Sequence, residues 1–252
     1  MEREKVNNAF QQVLADLAAF YEDEFSNAAA ETPEKYGAVG DGVANDTGAL
    51  TAMYASGAKY FVLRNTYKIS GTVAVPTGSI TDGRGSGKIL VSTANVTALN
   101  IASVTGVTIR NLQLQSTVAG ALANVSGITI DQSTYCDIIG CTITGFQWAG
   151  VLVADASYVR VVGNSFGTML GTVADASDIH VYYDSDNVLV ADNFCFGART
   201  VGINIQDPGG AGTYLPRQVT VRNNIIGAHT VFGINVYVGS PAGTVRNSDI
   251  IV

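Results

Sequence analysis

Six short apolar segments recur along this 252-residue chain from residue 99 onward, and their spacing restricts the fold more than any other feature. Taking Leu99, Ile128, Val151, Ile179, Ile203 and Ile234 as equivalent anchors, the steps are 29, 23, 28, 24 and 31 residues. Each anchor segment is followed by a second strand-like run: VTIRN (107–111), CDIIGC (136–141), VRVVGN (159–164), VLVADN (188–193), VTVRNN (219–224) and TVRNS (244–248). Two or three short strands per unit, with the length differences absorbed in loops, describe a solenoid of parallel coils. A sandwich would need hairpin turns of the Asn-Gly or Asp-Gly kind. Asp41-Gly42 and Asp82-Gly83 both precede the repeat, and the repeat contains none. The expected fold is mostly β: a right-handed parallel β-helix.

Composition agrees. The chain is 47% hydrophobic and only 14% charged, with 28 glycines and many Val, Ile, Thr and Asn, which suits strands and tight turns. Alternation points one set of side chains inward: Ile128, Ile130, Val151, Val153, Ile179, Val181, Ile203, Ile205, Ile234 and Val236. The residues closing the second strand, Cys141, Asn164, Asn193, Asn224 and Ser248, stack into a ladder that bonds from coil to coil. Cys136, Cys141 and Cys195 lie in strand-like segments and read as small buried apolar residues, not a disulfide framework.

Ahead of the repeat, Val6, Phe10, Val13, Leu17 and Phe20 recur at spacings of four and three, extended by Tyr21 and Phe25. That stripe predicts an amphipathic helix whose apolar face another chain covers. SNAAAETPE (26–34) is a hinge, so residues 1–35 and 36–252 form two units. In YGAVGDGVANDTGAL (36–50) the glycines permit a chain reversal, and Asp46 or Asn45 can cap the helix that TGALTAMYASG supplies, with Leu50, Met53 and Tyr54 facing the core. This stretch is expected to close the open end of the stack.

YGAVGDGVANDTGAL, followed by YFVLRNTYKISGTVAVPTG and DGRGSGKI, resembles the amino-terminal signature of the pectate-lyase-like superfamily of right-handed β-helices. The superfamily is widespread in bacteriophage tailspikes and polysaccharide-degrading enzymes. The helix before the cap resembles tailspike organisation most. The resemblance implies a virion tail protein, made in the host cytoplasm, that binds a host surface polysaccharide and attaches to other tail proteins through its amino-terminal helix.

The candidate chemistry lies with the carboxylates. Every glutamate lies at or before Glu34, so an acid pair on the β-helix must be aspartate. Asp131, Asp155, Asp184 and Asp207 end the equivalent strand three, four, five and four residues past its anchor, roughly one column. Glycoside hydrolysis needs two carboxyl groups about 5–9.5 Å apart, a range that stacked coils supply. The catalytic expectation is Asp184 with Asp155 or Asp207. The same sheet turns His180, Tyr182, Asn204, Gln206, Asn235 and Tyr237 outward, a mixture suited to sugar faces and hydroxyls. The Gly-His-Gly of polygalacturonase-type enzymes is not present, and by this register none of Arg110, Arg160, Arg199, Arg217, Arg222 and Arg246 enters the groove, so hydrolysis outranks elimination. The alternative is a non-catalytic appendage whose β-helix is a spacer or binding surface.

The net charge of −7 argues against nucleic acid, and no apolar run long enough to insert into a membrane is expected. No cofactor or metal spacing is found. Ile139, Val162, Leu189 and Ala191 turn outward in an apolar stripe, which with the tailspike resemblance predicts a parallel homotrimer. At the carboxyl end Val245, Asn247 and Ser248 match Val221, Asn223 and Asn224, so a further coil or a partner is expected beyond Val252.

Overall fold

A computed structural model describes residues 30–118, 125–170, 176–197, 200–206, 216–227, 229–237 and 250–251. The amino-terminal stripe, Asp207 and Ser248 lie outside the described residues.

Among the described residues, each full coil contributes one strand to each of three parallel sheets, of eight, eight and seven strands. The first sheet stacks Tyr60–Val62, Ile80–Asp82, Thr105–Arg110, Thr134–Ile139, Ser157–Val162, Asp186–Ala191, Arg217–Arg222 and Ile250–Ile251. The second stacks Asp41–Asn45, Thr66–Ile69, Lys88–Val91, Gln113–Ser116, Thr142–Thr144, Ser165–Phe166, Phe194–Cys195 and Ile225–Ile226. The third stacks Val73–Ala74, Leu99–Ala102, Ser126–Asp131, Ala149–Ala154, Ser177–Tyr182, Val201–Gln206 and Phe232–Tyr237.

The six anchors pair in one unbroken row of the third sheet, Leu99 to Ile128 to Val151 to Ile179 to Ile203 to Ile234. From Leu99 to Ile205 their side chains and those two residues on fill the tube, whereas at the last described strand Ile234 is half-buried and Val236, expected inward, is 43% exposed. Val151, Val153, Ile179, Val181 and Ile203 are fully buried, each contributing about 1.5–3 kcal/mol of transfer free energy.

Corners are set by backbone hand. Between the first and second sheets Gly140, Gly163, Asp192 and Asn223 have φ of 62°, 66°, 57° and 55°, the left-handed region that lets a strand turn sharply. The next residue points inward, which builds the ladder. Asn193 Oδ1 accepts from the Asn164 backbone N–H at 2.9 Å and from Asn164 Nδ2 at 3.1 Å, while Asn193 Nδ2 donates to Val161 O and Asn224 Oδ1, both at 2.9 Å. Cys141 heads the ladder, its backbone N–H donating to Asn164 Oδ1 at 2.9 Å.

The three cysteines are free and buried. Loss of solvent pushes the thiol of Cys136 up to about 11 and that of Cys141 to about 12, so neither is a nucleophile near neutral pH. The entry to the third sheet is tight as well. A Cβ on Gly150 would lie 2.6 Å from the Asp178 carbonyl oxygen and from the Phe166 ring, so only glycine fits.

At the amino-terminal side, the helix Thr47–Tyr54 buries Leu50, Met53 and Tyr54 in the common core. Asn45 Oδ1 accepts from the Thr47 N–H at 3.2 Å, and Asp46 instead accepts from Val39 and Gly40 N–H at 2.8 and 3.2 Å. Glu34 joins the incoming chain to the second sheet, accepting from Tyr67 OH at 2.5 Å and Asn65 Nδ2 at 2.8 Å.

The outward apolar stripe differs from expectation. Ile139, Val162 and Ala191 share a column of the first sheet that runs on to Arg222, with Arg110 on its other side. Leu189 belongs to the neighbouring column, with Asp137, Arg160 and Thr220. Ala191, expected outward and exposed, is fully buried.

Candidate functional site

The outward face of the third sheet gathers the expected polysaccharide-contact residues into two adjacent columns, His180–Asn204–Asn235 and Tyr182–Gln206–Tyr237. Amides tie the columns together. Asn235 Nδ2 donates to Asn204 Oδ1 at 2.8 Å, and Asn204 Nδ2 donates to Gln206 Oε1 at 3.0 Å. With its oxygen taken by Asn235, Asn204 turns its amide nitrogen to His180 Nε2 at 3.2 Å. Asn204, Gln206, Asn235 and Tyr237, with Val201, Val231 and Phe232, line a pocket of about 230 Å³. Phe232 and Tyr237 are exposed rings at its edge.

His180 is corrected. It points away from the tube as expected, yet it is 0% exposed. The Trp148 ring meets it edge-on at 5.2 Å and meets Tyr182 at 5.9 Å, and Trp148, Ala149, Leu152 and Ala154 form a second apolar cluster outside the main core. A substrate base needs access that this burial denies. Asn204, 1% exposed and bonded through both amide atoms, is closed off as well, so the open part of the face is Gln206, Asn235 and Tyr237.

The aspartates do not form one column. Asp131 pairs in register with Ala154, so its column continues through Tyr182 and Gln206. Asp155 sits one residue further on, at a left-handed corner with φ of 48°. Asp184 stands one residue beyond that corner, because the chain has an extra residue between left-handed Tyr183 and inward Ser185. Each carboxylate has local work: Asp155 Oδ1 accepts from the Asp184 N–H at 3.2 Å, and Asp184 pairs with Arg217 Nη2 at 3.3 Å. Arg217 thus reaches a candidate acid that the sequence register kept apart from it. The remaining member is electrostatically distinct. Burial, and then the charge of Asp155, push the Asp131 carboxyl above its ordinary value.

A larger groove, of about 510 Å³, lies on the first sheet and contains none of the expected polysaccharide-contact residues. Among the described residues no group of three or more His, Cys, Asp and Glu side chains is arranged to hold a metal ion, and no helix is long and apolar enough to cross a membrane.

No curated protein sequence matches the chain. Solved structures do. The surface adhesin PfbA of Streptococcus pneumoniae superposes with a TM-score of 0.67 at 14% identity, over 84% of this chain and 62% of that one. ORF18 of Geobacillus virus E2 gives 0.58 at 14% identity, over 88% and 51%. The amino-terminal fragment of bacteriophage Phi29 gene product 12 gives 0.55 at 18% identity, over 90% and 46%. The chain thus spans about three fifths of the first of these and about half of the other two. The coil register, the asparagine ladder and a match over residues 82–252 to the family described as right handed beta helix region place the chain in that family.

Proposed function

We propose that the protein is a β-helical appendage of a phage tail, of the tailspike kind, that binds polysaccharide on the host surface. The observation that carries this reading is the third-sheet pocket. Gln206 and Asn235 offer amide groups on two successive coils, held in place by buried Asn204 and set beside the rings of Tyr237 and Phe232. Planar amides match sugar hydroxyls, and exposed rings match the C–H faces of pyranoses. The likeness to a bacterial surface adhesin and to two phage proteins supports a role at a cell surface. In this reading the amino-terminal segment attaches to the virion, the helix Thr47–Tyr54 closes the stack, and the chains assemble as a trimer.

Titration of the protein with capsular and lipopolysaccharide fragments tests the proposal. The paired variant Asn235→Ala with Tyr237→Ala should weaken binding about tenfold or more. Equal binding by the variant moves the site elsewhere.

A second reading, cleavage by hydrolysis, has one specific observation in its favour. Asp131 and Asp155 are neighbouring carboxyls, and burial and then the charge of Asp155 raise the first, as a general acid needs. This pair, not Asp184, is the proposed catalytic set. New reducing ends that disappear in both Asp131→Asn and Asp155→Asn would support it. Binding without any release of reducing ends leaves a receptor-binding appendage.

A further inference from the structure

The first-sheet groove has its own chemistry. One wall is a row of left-handed residues in register, each second in its first-sheet strand, Tyr135, Tyr158, Asn187 and Gln218, and its floor is the next outward column, Asp137, Arg160, Leu189 and Thr220. These four have φ of 55°, 57°, 53° and 50°, and Gly106 begins the row at 69°. Left-handed backbone suits glycine and asparagine and disfavours bulky side chains. Two tyrosines nevertheless occupy consecutive levels, 60% and 50% exposed, with rings 4.8 Å apart and 10° from parallel. Because Gly106 has no side chain, nothing in the row stacks on the far face of Tyr135. Strain of this kind, with large aromatic area left in water, points to a ligand.

Charge narrows the ligand class. Arg160 donates through Nε to Asp137 Oδ1 at 2.6 Å and through Nη2 to Asp137 Oδ2 at 2.5 Å, a bidentate pair that neutralises the cation within the groove. The chain as a whole carries −7. A polyanion therefore finds no spare positive charge here, whereas a neutral sugar chain finds two rings, the Leu189 side chain, two amides and the Thr220 hydroxyl. Four levels at a spacing of ~4.8 Å span about 14 Å, the reach of a short oligosaccharide.

We propose that this groove is a second carbohydrate site, separate from the third-sheet pocket, that takes a neutral oligosaccharide across Tyr135 and Tyr158. It shares a ligand class with the reading above but none of its residues.

The test uses the full chain in calorimetric titrations with neutral hexasaccharides of glucose, galactose, mannose and N-acetylglucosamine, and with hexasaccharides of uronic acids. The variant Tyr135→Asn with Tyr158→Asn keeps a residue type that the row already holds at Asn187, and its thermal melt checks that it folds. The expected result is binding of at least one neutral hexasaccharide that is weakened about tenfold in the tyrosine variant and that persists in Asn235→Ala with Tyr237→Ala, which removes only the third-sheet contribution. Loss in the latter variant alone would support the third-sheet reading and overturn this one. Absence of binding by every neutral hexasaccharide, tighter binding of uronates, or binding untouched by the tyrosine variant would each overturn it. So would light scattering that shows self-association abolished by the tyrosine variant, since a second copy would then be the occupant.

Discussion

At the corner between the first and second sheets, a left-handed residue is followed by one that turns into the tube; the corner between the third and first sheets repeats this plan. There left-handed Gln132 and Asp155, with φ of 46° and 48°, precede inward Ser133 and Ala156. The two corners use polar side chains in opposite ways. At the first, Asn164 and Asn193 take the inward position and are fully buried, each bonded to the coils on both sides. At the second, Asp155 takes the left-handed position itself and Asp184 the inserted one, and both carboxylates stay near water. An Asx residue is thus a structural rung or a surface group according to its phase around the corner, not its type.

Four substitutions sharpen that contrast. Asn193→Ala should be the most damaging, because it strips partners from the Asn164 N–H and the Val161 carbonyl inside the tube. A loss of about 3 kcal/mol in urea unfolding is expected, and a loss below 1 kcal/mol would mean that water replaces the rung. Ser185→Ala tests the inward position of the other corner, where Ser185 Oγ donates to Tyr182 O at 2.7 Å. Ala156 already occupies the equivalent place one coil earlier, so a cost of about 1 kcal/mol is expected in the same measurement. Asp184→Asn should change stability by no more than about 0.5 kcal/mol, with the difference shrinking in high salt, because its bond to Arg217 is solvent-exposed.

The smallest effect, and the only one of favourable sign, belongs to Asp131. Its folded-state value lies above the ordinary carboxylate value. A group shifted this way favours folding while protonated, so its contribution is complete below the unfolded value and is lost as pH rises through the folded one. Asp131→Asn should therefore raise Tm slightly at pH 7 and leave it unchanged near pH 3. A variant less stable at pH 7 would show that the carboxylate accepts a bond worth more than its burial costs.

The register of the third sheet was legible in the sequence because its six apolar segments align once their anchors are chosen; in the first sheet the five segments from Val107 to Val219 align, but Ile250–Ile251, not TVRNS (244–248), pairs with Val219–Thr220. The second sheet was not legible, since its strands shrink to Ser165–Phe166, Phe194–Cys195 and Ile225–Ile226, too short for any periodicity. Four of the six expected contact residues share a pocket because outward direction follows from alternation alone. The burial of His180 could not be read, because Trp148 that shields it comes from a preceding coil. The offsets of three, four and five residues after the anchors did carry a warning that the aspartates fall at different phases of the corner. Tyr135 and Tyr158 were missed because surface tyrosines are common. Aligned by coil, they fall beside Gly106 and Asn187, residue types that favour left-handed backbone, and that alignment was the available signal.

Parallel stacking with one strand per sheet per turn has a consequence for how such a rod changes length. A whole turn, such as 157–185, can be removed or duplicated with the strands before and after it still in phase, so the shaft grows or shrinks in fixed increments of ~4.8 Å while every face keeps its azimuth. Groove contents, by contrast, are rewritten level by level: removing that turn would set Tyr135 directly against Asn187 and leave a single ring in the row. Reach and recognition are consequently separable in this architecture, the first counted in turns and the second spelled by the side chain at each one.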